Sequence, residues 1–145
     1  MNYANYQKKI LTDLSKGKRW FIDEIGNNYI VTEGYHMRLI PKDEFYLNID
    51  KFKKDERFSK TRKDLVNEYE NLNQMEITKE VVEKVGRNKL RIVETENMKK
   101  GFNMKFLSDF DKDYELWTSD EVISPGFAVE NNDVVGVILP IRMNR

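Results

Sequence analysis

The chain has 145 residues, the length of one ordinary domain, and 39% of them are hydrophobic, which is enough to build a core. Its 25 basic and 25 acidic side chains give a net charge of zero, so global charge indicates no nucleic-acid partner. The absence of cysteine excludes disulfide bonds, thiolate metal sites and cysteine nucleophiles. No apolar window reaches the length of a membrane span, and the N-terminus lacks an apolar signal region, which predicts a cytoplasmic protein.

The first forty residues predict a helix followed by antiparallel strands. Apolar side chains recur at helical spacing from residue 3 to residue 14, and Gly17 is well placed to end the helix. The turn signal at Gly26 and Asn27 separates two strand-like runs, and Pro41 stops a third. The predicted elements are a helix over 3–14 and strands over 19–25, 29–32 and 35–40.

The middle of the chain, from about residue 42 to residue 73, is highly charged and predicts a charged insertion with one short helix over 64–72. Residues 51–63 hold seven bases against two acids, interleaved with Phe52 and Phe58. Basic and aromatic side chains together can bind single-stranded nucleic acid. The simpler alternative is an exposed loop whose aromatic side chains pack into the core.

The second half predicts strands around one further helix. Residues 77–85 fit either a strand or a helix, and a turn at 86–88 precedes a strand over 90–93. Residues 103–110 predict a short amphipathic helix with Asn103 near its start. A strand at 116–118, a Ser124-Pro125 corner and a terminal strand from Val134 onward complete the chain.

Three segments carry a family resemblance. Thr32-Glu33-Gly34-Tyr35-His36-Met37 resembles the Thr-Asp-Gly-His-Arg-Leu segment of bacterial DNA polymerase beta sliding clamps. The run from Phe102 to Phe110 resembles the clamp helix Phe-Asn-x-x-Tyr-Leu-x-Asp-x-Leu, and Ile138-Leu139-Pro140-Ile141-Arg142 resembles the terminal Met-Pro-Met-Arg. The segments occur in family order. Clamps of this family carry three such domains, whereas this chain has room for one.

The resemblance implies an α+β fold: a single DNA-clamp-like domain over residues 1–145, with helices packed on antiparallel sheet and a charged insertion at about 42–73. Clamp helices present basic residues to the DNA backbone, and such phosphate contacts carry no sequence preference. The alternative is that lysines opposite an apolar helix stripe are simply solvated. The predicted DNA-binding residues are Lys8, Lys9, Lys16, Lys99, Lys100 and Lys105.

The resemblance also implies a surface pocket beside the C-terminus that captures short peptides from replication proteins. The alternative is that these apolar residues belong to the core or to an edge strand. The two predicted walls are Thr32, Tyr35, His36 and Met37 on one side, and Leu139, Pro140, Ile141, Arg142 and Met143 on the other.

No motif predicts an enzyme or a cofactor. His36 is the only histidine and has no partner cysteine, so it is expected to be structural. Asp109, Asp111 and Asp113 lack the glycine and the distal glutamate of a calcium loop, and they predict a polar turn and no metal site.

The sequence therefore predicts a non-enzymatic, self-associating replication accessory of a phage or mobile element, which binds double-stranded DNA, clamp-binding peptides, or both. The alternative is an interaction or inhibitor module that binds a host protein.

Overall fold

The computed structural model describes residues 2–56, 64–65, 72–83, 89–121 and 123–141. These residues form two helices, two 3-10 turns and nine strands. In chain order the elements are helix α1 (Tyr3–Ser15), strands β1 (Phe21–Ile25), β2 (Asn28–Thr32) and β3 (His36–Pro41), 3-10 turns at Lys42–Glu44 and Ile49–Lys51, strands β4 (Asn73–Glu83), β5 (Lys89–Glu94) and β6 (Lys99–Asn103), helix α2 (Met104–Leu107), and strands β7 (Glu115–Thr118), β8 (Gly126–Glu130) and β9 (Asp133–Ile138).

The described strands form one antiparallel sheet in the order β1-β2-β3-β9-β8-β7-β4-β5-β6. Strand β9 follows β8 through a tight turn in which Asn131 and Asn132 both have positive φ, the backbone that two-residue hairpins need. It then pairs on its other edge with β3, so that His36 lies opposite Ile138. The last strand in the sequence therefore joins the N-terminal meander to the rest of the sheet.

Strands β4 to β9 curl into a closed half of the molecule. The N–H of Ile141, just after β9, donates to the carbonyl of Gly101 on the edge strand β6 at 2.8 Å. Phe102 fills the interior so closely that a Cβ at Gly126 would lie 2.8 Å from its ring. Each of the six strands contributes to this core, through Met75, Val93, Phe102, Leu116, Ala128 and Ile138.

Helix α1 covers the meander β1–β3. Asn2 caps its N-terminus, because the Asn2 side chain accepts the N–H of Asn5. Tyr6 and Ile10 of the helix pack against the sheet. Gln7 is fully buried, and both ends of its side-chain amide form hydrogen bonds. The Nε2 group donates to the carbonyl of Glu44, and Oε1 accepts the N–H of Tyr46. The other face of the meander packs against Phe127 and Val137 in a separate cluster that also holds Ile30, Met37 and Leu39.

The first part of the predicted insertion packs on this layer. Phe52 is buried in the α1 cluster, and the Lys53 segment exchanges hydrogen bonds with Trp20 and Ile22 alongside β1. Phe58, most of the helix predicted over 64–72 and the turn predicted at 86–88 lie outside the described residues.

The predicted α+β class, a single DNA-clamp-like domain with helices packed on antiparallel sheet, is wrong. The sheet dominates the described chain. Residues 73–83 are one long strand, and the predicted helix over 103–110 shortens to the single turn Met104–Leu107. The physical reason is that Phe102 and Phe110, at the two ends of this run, both pack into the core of the closed half, Phe102 from strand β6 and Phe110 from a turn that follows Leu107.

Candidate functional site

The ring of His36 is buried at the start of β3, next to α1. Its Nε2 lies 3.0 Å from the Tyr6 hydroxyl, and its Nδ1 lies 2.5 Å from Oε2 of Glu33. Burial lowers the pKa of His36 by more than the Glu33 hydrogen bond raises it, and the Arg38 charge lowers the pKa further. A neutral ring fits these contacts when Nδ1–H donates to Glu33 and Nε2 accepts from Tyr6.

Glu33 orders the turn that leads into β3. Its Oε1 accepts the backbone N–H groups of Tyr35 at 2.9 Å and His36 at 2.8 Å. Burial alone raises the pKa of Glu33, but the hydrogen bonds from His36 and the backbone outweigh burial and hold that pKa below its ordinary value. The Thr32 hydroxyl adds a bond to the His36 carbonyl and accepts the N–H of Gly34. The turn therefore has a fixed shape, and it presents Tyr35 to solvent.

The two predicted pocket walls are neighbours within one chain. Beyond the pair of His36 and Ile138, the Leu139 N–H donates to the Tyr35 carbonyl at 3.1 Å. The ladder thus continues by one step and sets Tyr35 beside Leu139. Both side chains are exposed, Tyr35 by 70% and Leu139 by 43%. No second subunit is needed to bring these walls together.

The other described residues of the two predicted walls are buried or half-buried. Thr32, His36 and Met37 are buried, whereas Pro140 and Ile141 are half-buried where the chain crosses from β9 to β6. Arg142 and Met143 lie outside the described residues. Among the described residues of the predicted pocket, the exposed ones are therefore Tyr35 and Leu139.

Sequence reasoning missed Ile123, which is the most exposed large apolar side chain among the described residues, at 82%. It lies in the loop between β7 and β8, just before Ser124 and Pro125. The available signal was the apolar pair Val122-Ile123 inside a turn between two strands, because turns rarely need large apolar side chains.

The predicted DNA-binding lysines do not share one surface. Lys8, Lys9 and Lys16 are exposed on α1, although Lys9 forms an ion pair with Asp109. Lys105 is exposed on α2. Lys99 lies on edge strand β6, where its Nζ is 3.9 Å from a carboxylate oxygen of Glu80.

Lys100 faces the interior and is only 3% exposed. Its ammonium group donates to the Thr118 hydroxyl at 2.6 Å and to the carbonyls of Ser119 and Ser124 at 3.0 and 3.1 Å. Burial lowers the pKa of Lys100 to about 8. All three of its N–H groups are used inside the protein, so Lys100 braces a loop and its charge is not presented to a phosphate.

Sequence reasoning also missed Arg38, which is fully buried between the two helices. Its guanidinium lies 4.2 Å from the centre of the Phe110 ring and 3.7 Å from Asp109, and it donates to the carbonyl of Met37. Burial lowers the pKa of Arg38 below its ordinary value. Gly136 leaves the room for this side chain, since a Cβ there would lie 3.0 Å from Nη1.

Among the described residues, no group of three or more histidine, aspartate or glutamate side chains is arranged to hold a metal ion. Within the same part of the chain, no helix is long and apolar enough to cross a membrane. Comparisons with protein-family models, curated proteins and solved structures find no match to this chain. The resemblance to sliding clamps therefore rests on the three sequence segments alone.

Proposed function

We propose that this protein is a non-enzymatic interaction module that docks an extended apolar segment of a partner protein against Tyr35 and Leu139. The observation that supports the proposal is the adjacency of two exposed apolar side chains on a backbone that Glu33 and the β3–β9 ladder hold in place. A rigid apolar pair binds with little loss of conformational entropy.

The segments that resemble sliding clamps favour one kind of partner. Tyr35 lies in the Thr-Glu-Gly segment and Leu139 in the terminal segment, and in clamps these segments border the site for peptides of polymerases and loaders. The proposed partner is accordingly a replication protein that carries a clamp-binding peptide. A host protein outside replication, bound at the same pair, is the alternative partner.

A fluorescent clamp-binding peptide tests the docking site. Leu139→Asp should weaken its binding at least about tenfold, which corresponds to about 1.4 kcal/mol. Leu11→Asp is the matched control, because Leu11 is 53% exposed on α1 and lies outside the proposed site. Equal binding by the Leu139→Asp variant and the unchanged protein would contradict the site, and absence of any binding would contradict the proposed partner.

Association with DNA through α1 is a second candidate function. Lys8, Lys9 and Lys16 are all exposed on this helix. Contacts from such lysines to phosphates would be independent of sequence and would weaken steeply as salt rises. Replacing Lys9, Lys16 and Lys105 together by glutamate should abolish binding to a duplex. Lys79→Glu on β4 is the control, and binding that survives the triple change would exclude this surface.

Self-association accompanies the DNA proposal, because one domain of this size cannot encircle a duplex. Light scattering after gel filtration, over a range of protein and salt concentrations, measures the mass in solution. A closed multimer would support encirclement of DNA. A strict monomer at high concentration would exclude encirclement and leave the docking module.

A further inference from the structure

The exposed apolar pair continues into the loop between β7 and β8. Gly126 lies opposite Ile138, so one step further along the same ladder Pro125 comes beside Leu139. On its other side, Leu139 is bonded to Tyr35. Ile123 is two residues from Pro125. Antiparallel register thus gathers Tyr35, Leu139 and Ile123 at one end of the sheet, which we call the apolar end.

The loop that carries Ile123 is braced at its base. The Lys100 ammonium binds the carbonyls of Ser119 and Ser124 from below, and the hydroxyls of these two serines bond each other. The Thr118 hydroxyl donates to the Pro125 carbonyl at 3.0 Å. These bonds hold Thr118, Ser119, Ser124 and Pro125, and Ile123, next to Ser124, is exposed to solvent.

The rim of the apolar end is acidic. Asp120 and Glu121 are exposed beside Ile123, and Asp120 accepts hydrogen bonds from the neutral side chains of Thr95 and Asn97. Glu33 does not belong to this rim, because its carboxylate binds the His36 ring and the backbone N–H groups of Tyr35 and His36.

The balance of charge at the apolar end therefore favours a cationic partner. Among the described residues, the Lys100 ammonium beneath the loop offsets part of the charge of Asp120 and Glu121, and its own charge is enclosed. Lys105 lies on α2, on the face of the sheet opposite to the Tyr35 side chain. Its neighbour Phe106 stacks on the His36 ring. The side chains of His36 and Tyr35 point to opposite faces of the sheet, because they are successive residues of the ladder.

We propose that the apolar end, formed by Tyr35, Leu139 and Ile123, selects an apolar segment flanked by lysine or arginine residues. The inference rests on the proposed docking function and names the class of partner. Apolar contact provides most of the affinity, and the carboxylate rim provides the choice between segments, since complementary charge mainly governs specificity and association rate.

Three synthetic peptides with one common apolar core test the inference. They carry two lysines, two serines or two glutamates at each end. At low salt we expect the lysine-flanked peptide to bind about tenfold more tightly than the glutamate-flanked one, with the serine-flanked peptide between them, and the difference should shrink as salt rises. Ile123→Asp should weaken binding of all three peptides.

Charge reversal at the rim provides the matched comparison. Asp120→Lys combined with Glu121→Lys should reverse the order of the three peptides. Asp133→Lys changes an exposed carboxylate at the opposite end of β9 and should leave the order unchanged. Unchanged denaturation midpoints would confirm that the variants fold, as expected for exposed positions.

The outcomes separate the two proposals. Equal binding of the three peptides, lost on Leu139→Asp, would support the docking function and overturn the charge selection. Peptide binding that is indifferent to Ile123→Asp would also overturn the inference. Failure of every peptide to bind would overturn both proposals. If the protein alone forms a dimer and Ile123→Asp dissociates it, the apolar end binds a second copy of this chain, and the proposed partner segment would be wrong.

Discussion

Arg38 and Tyr35 are three residues apart in the sequence, and their environments are the reverse of what their side chains usually have. The charged side chain is fully buried and the aromatic one is 70% exposed. Arg38 has a reason to be inside, because Phe110, Asp109 and the carbonyl of Met37 surround its guanidinium. Tyr35 has a fixed backbone, and no contact with the described residues accounts for its exposed ring.

The contrast separates stability from recognition. A buried charge survives only when its surroundings supply acceptors, so the arginine site is part of what holds the helices to the sheet. An exposed aromatic ring on a rigid turn contributes little to folding, and it can contribute to binding without reorganisation. The predictions below test whether the two sites differ in this way.

The largest expected effect is that of Arg38→Ala. The substitution removes the donors to the carbonyls of Met37 and Phe106 and opens a cavity beside Phe110, while Asp109 keeps its ion pair with Lys9. Loss of a large buried side chain together with its hydrogen bonds typically costs about 2–5 kcal/mol, and urea unfolding at neutral pH measures that loss. Arg38→Met keeps most of the volume and should cost less. A loss under about 0.5 kcal/mol for Arg38→Ala would show that the arginine does not support the fold.

Gly136→Ala should have the next largest effect. The added Cβ would lie 2.9 Å from the Met37 carbonyl oxygen and 3.1 Å from the Phe110 ring. The oxygen belongs to the paired strand β3 and cannot move without disturbing the ladder. Overpacking of this kind costs about 1–3 kcal/mol. Urea unfolding measures the loss, and an unchanged midpoint would show that strand β9 can shift away from β3.

His36 should make stability depend on pH. Its folded pKa lies below its ordinary value of 6.5 because burial disfavours the charged ring, so the folded state binds fewer protons than the unfolded state. The stabilisation is complete above about pH 6.5 and is lost as pH falls through the folded pKa. Around the ring, Glu33 raises this pKa, Arg38 lowers it and Asp109 raises it.

Urea unfolding between pH 5 and pH 7 measures this dependence. His36 is the only histidine, Glu33 affects stability only below its ordinary value of 4.5, and Lys100, whose pKa is about 8, affects it mainly above pH 7, so this window reports mainly on His36. His36→Gln should lose stability at pH 7 and flatten the curve below pH 6.5. An equal slope in both proteins would assign the pH dependence to other groups.

The local pattern of the sequence predicted much of the N-terminal half. The helix over 3–14 and the strands before Pro41 are confirmed, because helical spacing, Gly17 and the turn at Gly26 are all local signals. The second half was harder to predict. The run from Phe102 to Phe110 resembles a helix, but Phe102 packs against strands that are distant in the chain. The spacing of apolar residues within a ten-residue segment carries no information about such distant contacts.

The candidate site also contains residues that the sequence identified and residues whose position depends on contacts between distant parts of the chain. The sequence resemblance named Tyr35 and Leu139, and the structure places them side by side. It also named Lys100 as exposed, although the three oxygens that enclose its ammonium come from residues 118–124, and contacts over that separation are not visible in sequence. Ile123 became a candidate only when the β8–β9 register placed its loop beside Leu139.

The smallest expected effect on folding is that of Tyr35→Ser. The ring is mostly in water, and the contacts that fix the turn involve the backbone N–H and C=O of Tyr35, which serine keeps. Exposed substitutions of this kind usually change stability by less than about 0.5 kcal/mol. Peptide binding should nevertheless weaken at least about tenfold, as for Leu139→Asp. A large loss of stability in urea, close to that of Arg38→Ala, would show that Tyr35 serves the fold and would remove the contrast between the two sites.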